Sequence, residues 1–216
     1  MINKYKHIIW DWNGTLLNDV EFCNNIINRI LIGNDLPALT IEEYKDIFTF
    51  PVQDYYKAAG LDFSKTSFEI LGSDFIDEYE RNKLNCSLYD GAIETLSAIN
   101  KNGVKQSILS AYKHDNLISN LKTYKVFDYF DIITGSDNIY AAGKTHLGLK
   151  LIEQLQFDKD EILFIGDTLH DNEVAIAMGV NSILIANGHQ SKEKLLTSHA
   201  TVFDDFIALQ KYLNIV

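Results

Sequence analysis

Short apolar runs recur along this chain with helical pattern between most of them, and that alternation restricts the possible folds more than any other feature. The first run, Tyr5 to Trp10, ends in His7-Ile8-Ile9-Trp10 and is followed at once by Asp11. Later runs lie at Val104 to Leu109, Asp131 to Thr134, Ile162 to Ile165 and Ser182 to Ala186. Runs this short and this apolar suit strands buried on both faces. Helical spacing covers Ala92 to Asn100, Leu117 to Tyr124, Leu147 to Leu155 and Glu173 to Met178. Strand and helix in repetition predict an α/β fold: right-handed crossovers and a Rossmann-like parallel sheet with helices on both faces.

Residues 18 to 85 break the alternation. They hold no convincing strand and read as helices, with breaks near Gly33 to Pro37, Phe50-Pro51 and Gly60. A chain of 216 residues has room for a core plus an insertion. We read 18–85 as a helical insertion, and 1–17 with 86–216 as the α/β core domain. The chain would leave the core near Leu17 and return near Ser87, and two crossings side by side would make a hinge. The aromatic group Tyr44, Phe48, Phe50, Tyr55 and Tyr56 reads as the interior of that insertion in preference to a substrate wall.

Acids outnumber bases 30 to 19, a formal charge of -11. That field repels nucleic acid backbones and anionic membranes, so neither is expected as a partner. An anionic substrate would need local positive charge from a metal, a lysine or backbone N–H groups. No apolar run approaches the roughly 18 residues that cross a bilayer. The start is too short for the hydrophobic region of a signal peptide, so the expected location is the cytoplasm. Cys23 and Cys86 are too few for a disulfide framework or a four-ligand zinc site. Both a monomer and a homodimer are compatible with the sequence.

In an open parallel sheet, ligands bind beyond the carboxyl ends of the strands. The first strand is followed by Asp11-Trp12-Asn13-Gly14-Thr15, and the second by Ser110 and Ala111. The third leads to Lys144, and the fourth to Gly166-Asp167-Thr168-Leu169-His170-Asp171. Carboxylates, a hydroxyl and a cation would thus meet at one edge of the sheet. Asp171 also sits where it could cap the helix through Glu173 to Met178. Gly143-Lys144-Thr145 lacks the upstream glycine of a nucleotide loop.

These motifs, in this order, resemble the haloacid dehalogenase superfamily, most closely its phosphoglycolate phosphatase-like branch with a helical cap. The resemblance implies a Mg²⁺-dependent phosphatase acting on a small phosphorylated metabolite. Asp11 would be the nucleophile and form an aspartyl phosphate. Asp11, Asp167 and Asp171 would serve the metal, together with the backbone carbonyl of Asn13. Ser110, Ala111 and Lys144 would bind the phosphoryl oxygens, with Gly14 and Thr15 helping to cradle them. Thr49 and Gln53, in the segment that interrupts the cap helices, are the expected substrate contacts.

Position 13 departs from the family pattern, which places an aspartate there as general acid and base. Asn13 cannot pass a proton, and such catalysis is worth about 10²–10⁴-fold. The expectation is slow turnover with a preference for good leaving groups, unless His114, His146 or a cap residue supplies the proton. A barely catalytic phosphate-binding regulator is the second reading. A dehalogenase is the third, and the complete acidic motif argues against it. His170, His189 and His199 read as surface or loop residues, because no spaced partners accompany them.

Overall fold

A computed structural model describes residues 1–137 and 143–215. The core is a six-stranded sheet of β1 (His7–Trp10), β4 (Lys105–Lys113), β5 (Ile132–Ser136), β6 (Ile162–Gly166), β7 (Asn181–Ile185) and β8 (Thr201–Phe203). The strands stand in the order β5-β4-β1-β6-β7-β8, and every pairing is parallel. β1 sits inside the sheet with all its residues buried. Alternation assigns its two faces: Ile8 and Trp10 join the cluster that holds Leu96, Ile99 and Phe206, while Ile9 packs with Leu147, Leu151, Val174 and Met178.

The covering helices are α5 (Ala92–Lys101), α6 (His114–Thr123), α7 (Thr145–Gln154), α8 (Leu169–Met178), α9 (Lys192–Leu195) and α10 (Phe206–Leu213). The apolar runs became strands, with two instructive differences. β4 carries on past Leu109 to Lys113, with a register shift against β5 between Leu109 and Lys113, so Ser110 and Ala111 fall in the irregular stretch of the strand. β8 and α10 were not anticipated, since Thr201–Phe203 is too short to show a period. The cap of α8 also differs from expectation. Thr168 is the N-cap, and Asp171 is its partner in a capping box, three residues into the helix.

Between the core's first two large strands lie β2 (Leu17–Asn18) and β3 (Ser87–Leu88), an antiparallel pair in which Leu17 faces Leu88. From β2 to β3 the regular α elements are α1 (Val20–Gly33), α2 (Ile41–Ile47), α3 (Val52–Ala58) and α4 (Phe68–Asn82). Their apolar faces meet in a cluster of their own, which includes Ile26, Ile27, Leu31, Tyr44, Tyr55, Tyr56 and Tyr79. α2 starts on a capping box of Thr40 and Glu43, and Ser67 caps α4. This helical layer stands over the carboxyl end of the sheet.

Candidate active site

The amide of Asp11 donates to the Ile165 carbonyl at 2.9 Å, which sets the end of β1 beside the turn after β6. Lys144 precedes α7 and is only 2% exposed. Its Nζ lies 2.7 Å from Asp11 Oδ1 and 2.7 Å from Asp171 Oδ1. It also donates to the Leu109 carbonyl at 3.1 Å. One ammonium group therefore ties together the ends of β1, β4 and β6. Asp171 Oδ2 accepts from the amides of Asp167 and Thr168 and from the Thr168 hydroxyl. Asp167 is held by the Thr15 hydroxyl at 2.6 Å and the His189 amide at 2.7 Å. Gly14 and Gly188 crowd this carboxylate, and a Cβ at either would collide with it. Gly14 also has φ +72°, which a side chain would strain.

Carboxylate oxygens of Asp11, Asp167 and Asp171 all lie within 4.8 Å of one another. Burial drives Asp11 above the ordinary carboxylate range, against Lys144, with Asp171 and Asp167 adding to the rise. Burial likewise raises Asp167, against His189. Burial also acts to raise Asp171, but the charge and hydrogen bond of Lys144 outweigh it and hold the group low. A buried acidic trio with one lysine is short of positive charge. An all-oxygen donor set with that deficit fits a hard dication such as Mg²⁺.

A cavity of roughly 150 Å³ opens from Asp11 toward the helical layer. Asn13, Ser110, Ala111 and Lys144 line it. Several expected contacts do not. The Gly14 amide is taken by Asp19 Oδ1 at 3.0 Å and the Thr15 hydroxyl by Asp167, so neither is free to cradle a phosphate. Thr49 turns its hydroxyl to the Phe50 carbonyl, and Gln53 is exposed; both face away from the cavity that Phe48, Phe50 and Val52 line. His114 and His146 are absent from the lining, and His146 and His199 are exposed. His170 is half-buried and stacks on Phe50, its ring accepting from the Lys144 amide.

His189 is the largest correction. It is buried, lines the cavity and forms a pair with Asp19 at 3.3 Å. Its other ring nitrogen meets the Tyr44 hydroxyl at 2.8 Å. Asp19 precedes α1 yet makes no capping bond. Its oxygens instead accept from Asn13 Nδ2 at 2.7 Å, from Tyr79 at 2.7 Å and from the Gly14 amide. Burial opposes ionisation of both partners. Their mutual attraction, with the Asn13 and Tyr79 hydrogen bonds, prevails: Asp19 is lowered and His189 raised. Asn13 is thus committed to donating toward a carboxylate. The strand-end rule that singled out the other site residues also applies to the fifth strand, whose end leads into Asn187-Gly188-His189. No local signal marks Asp19.

A parallel sheet with an acid after β1, a lysine before α7 and an acid pair after β6 defines a class of hydrolase. The haloacid dehalogenase-like hydrolase family matches residues 8–185, and the chain belongs to that family. Among curated proteins, a phosphoglycolate phosphatase of Rhodobacter capsulatus is 21% identical, with 94% of each chain covered. The pyrophosphatase PpaX of Listeria monocytogenes is 25% identical over 80% of this chain and 79% of its own. A crystal structure described as a predicted phosphatase from Clostridium acetobutylicum superposes with a TM-score of 0.82. It is 20% identical and covers 98% of this chain and 99% of its own.

Proposed function

We propose that this hydrolase is a Mg²⁺-dependent phosphatase for a small phosphorylated metabolite, working through a phosphoryl group carried on Asp11. The observation that carries the reading is Lys144 Nζ at 2.7 Å from both Asp11 and Asp171, within a buried acidic trio. Asp11, Asp167 and Asp171 would hold the metal, which would supply positive charge to a phosphoryl group entering an acidic site. Lys144 holds Asp11 Oδ1, which leaves Oδ2 to attack phosphorus. The phosphorus–oxygen bond to the leaving group breaks, and that oxygen departs with the electron pair. Water then attacks the phosphoryl group, the Asp11 carboxylate is restored, and both protons of the water leave on inorganic phosphate. Ser110 and the Ala111 segment stand where they can meet the phosphoryl oxygens.

Residues 18–85 would form the lid, with 1–17 and 86–216 the catalytic core, and the β2–β3 pair the hinge. Phosphoglycolate phosphatase and pyrophosphatase relatives support the reaction class. The test is phosphate release with and without Mg²⁺, on wild type and Asp11→Asn. Metal-dependent release that the variant loses by roughly 10³-fold or more supports the reading. Release that the variant retains sinks it. Asn13 keeps a second reading alive, a phosphate-binding regulator: its amide is spent on Asp19 and Tyr79, so position 13 delivers no proton. Phosphate binding without turnover would favour it.

A further inference from the structure

The cap's share of the cavity wall is unlike its floor. The floor carries Asp11, Ser110 and Lys144. The wall carries Phe48, Phe50, Tyr55, Phe68, Phe75 and Ile76. Among the described residues, the lining contributed by α1 to α4 and the loops between them contains no Lys, Arg, His, Asp, Glu, Asn, Gln, Ser or Thr. Two of its four phenols are spent, Tyr44 on His189 and Tyr79 on Asp19 and Asn13. The Tyr55 hydroxyl is buried with no partner among the described residues. The cations at the cavity lie on the core side: Lys144 on Asp11 and Asp171, His189 on Asp19, and Lys113 at the end of β4, the strand that carries Ser110.

We infer that the cap half of this cavity receives an uncharged aromatic group, so that the ester bound here is an aryl phosphate. The inference rests on the phosphatase reading and narrows its substrate. A carboxylate or a second phosphate against this wall would find no cation among the lining residues of α1 to α4 to pair it, and a sugar would find only one buried phenol unpartnered, that of Tyr55, for its several hydroxyls. The whole cavity, floor and wall together, is about 150 Å³, the size of an engineered apolar cavity that takes up benzene, so the group that faces the apolar wall can be no larger than a single ring. Aromatic walls also pair with an aromatic guest edge-to-face or offset, as Phe48 and Phe50 already do with each other. Position 13 points the same way independently. A phenolate leaves with its electron pair and takes its proton from solvent, so it tolerates an amide where an acid usually stands.

The experiment separates recognition from leaving-group chemistry by using non-hydrolysable phosphonates. Phenylphosphonate and phosphonoacetate are titrated calorimetrically into the full chain with Mg²⁺. The expected result is tighter binding of phenylphosphonate by roughly tenfold or more, a ratio that narrows in Phe75→Lys as the phosphonoacetate carboxylate gains a partner. Ile76→Lys is the second variant, should the first fail to fold. Equal or tighter binding of phosphonoacetate by the wild type overturns the inference. So does a ratio unchanged in a folded lysine variant. Turnover of 4-nitrophenyl phosphate is scored separately, and its absence counts against the phosphatase reading rather than against the binding preference.

Discussion

At the core end of the cavity one lysine lies 2.7 Å from each of two carboxylates, whereas the cap helices present Phe68, Phe75 and Ile76, and the one charged cap residue in the lining, Asp19, stands before α1 and is paired with His189 of the core. The contrast arises from how each end is built. Core side chains hang from loops at the ends of buried parallel strands, where backbone positions are fixed by the sheet. Cap side chains come from helices whose apolar faces must also pack against each other. The same aromatic residues therefore serve as interior and as wall. Tyr55 and Phe48 belong to the cap's own cluster and to the cavity lining at once. Charge and chemistry can be concentrated at one end because the cap helices contribute mainly shape and apolar surface to the cavity, while Asp19 and the Tyr79 hydroxyl serve Asn13 and His189 at the core end.

The strongest way to break this contrast is to remove the cation at the core end. Lys144→Met leaves Asp11 and Asp171 buried without their shared partner. Breaking a buried pair from one side costs about 3–5 kcal/mol, so the metal-free variant should unfold well below the wild type in denaturant. Mg²⁺ should return part of that loss through binding to the folded state. An unchanged midpoint would mean that Lys144 is not what compensates the acids.

The junction between the two ends gives a smaller and sharper test. Asn13 Nδ2 donates to Asp19 Oδ2 at 2.7 Å, so Asn13→Asp sets one carboxylate against another. The single variant should lose about 1–3 kcal/mol, the usual range for an unpaired buried polar group. Adding Asp19→Asn restores a donor facing an acceptor, although it also weakens the hold on His189. The two changes should be non-additive by about 0.5–3 kcal/mol in a double-mutant cycle followed by thermal unfolding. Strict additivity would contradict the contact.

The smallest effect belongs to the cap wall. The Tyr55 hydroxyl is buried and unpartnered among the described residues. Tyr55→Phe should leave stability unchanged or raise it by up to about 1 kcal/mol, because a desolvated hydroxyl is removed. A clear drop in the melting temperature would show that the wall holds a polar contact, and would blur the division between the two ends.

The same division explains what could be read from the sequence. Asp11 and Asp167 were legible because each comes directly after a short apolar run that the sheet buries. Lys144 was legible only through its order in the pattern, since a lone lysine after a glycine is ordinarily a surface residue. Asp19 was invisible: it stands between a two-residue strand and a helix, where an acid looks like a cap, and its partner His189 is far along the chain. The cap loop misled in the opposite sense. Thr49 and Gln53 drew attention because they are polar, yet the polar residues there turn outward and Phe48, Phe50 and Val52 turn in. In a helical layer beside a cavity, helical spacing of aromatic residues gives no sign of which ring faces a ligand.

The most direct test of the account is to mix the Mg²⁺-loaded protein with an aryl phosphate, quench it in acid within one turnover, and map the phosphoryl group by peptide mass spectrometry. The account predicts one acid-stable, hydroxylamine-labile acyl phosphate on Asp11, absent in Asp11→Asn. Turnover with no phosphoryl group on the protein, or with the group on any other residue, would contradict it.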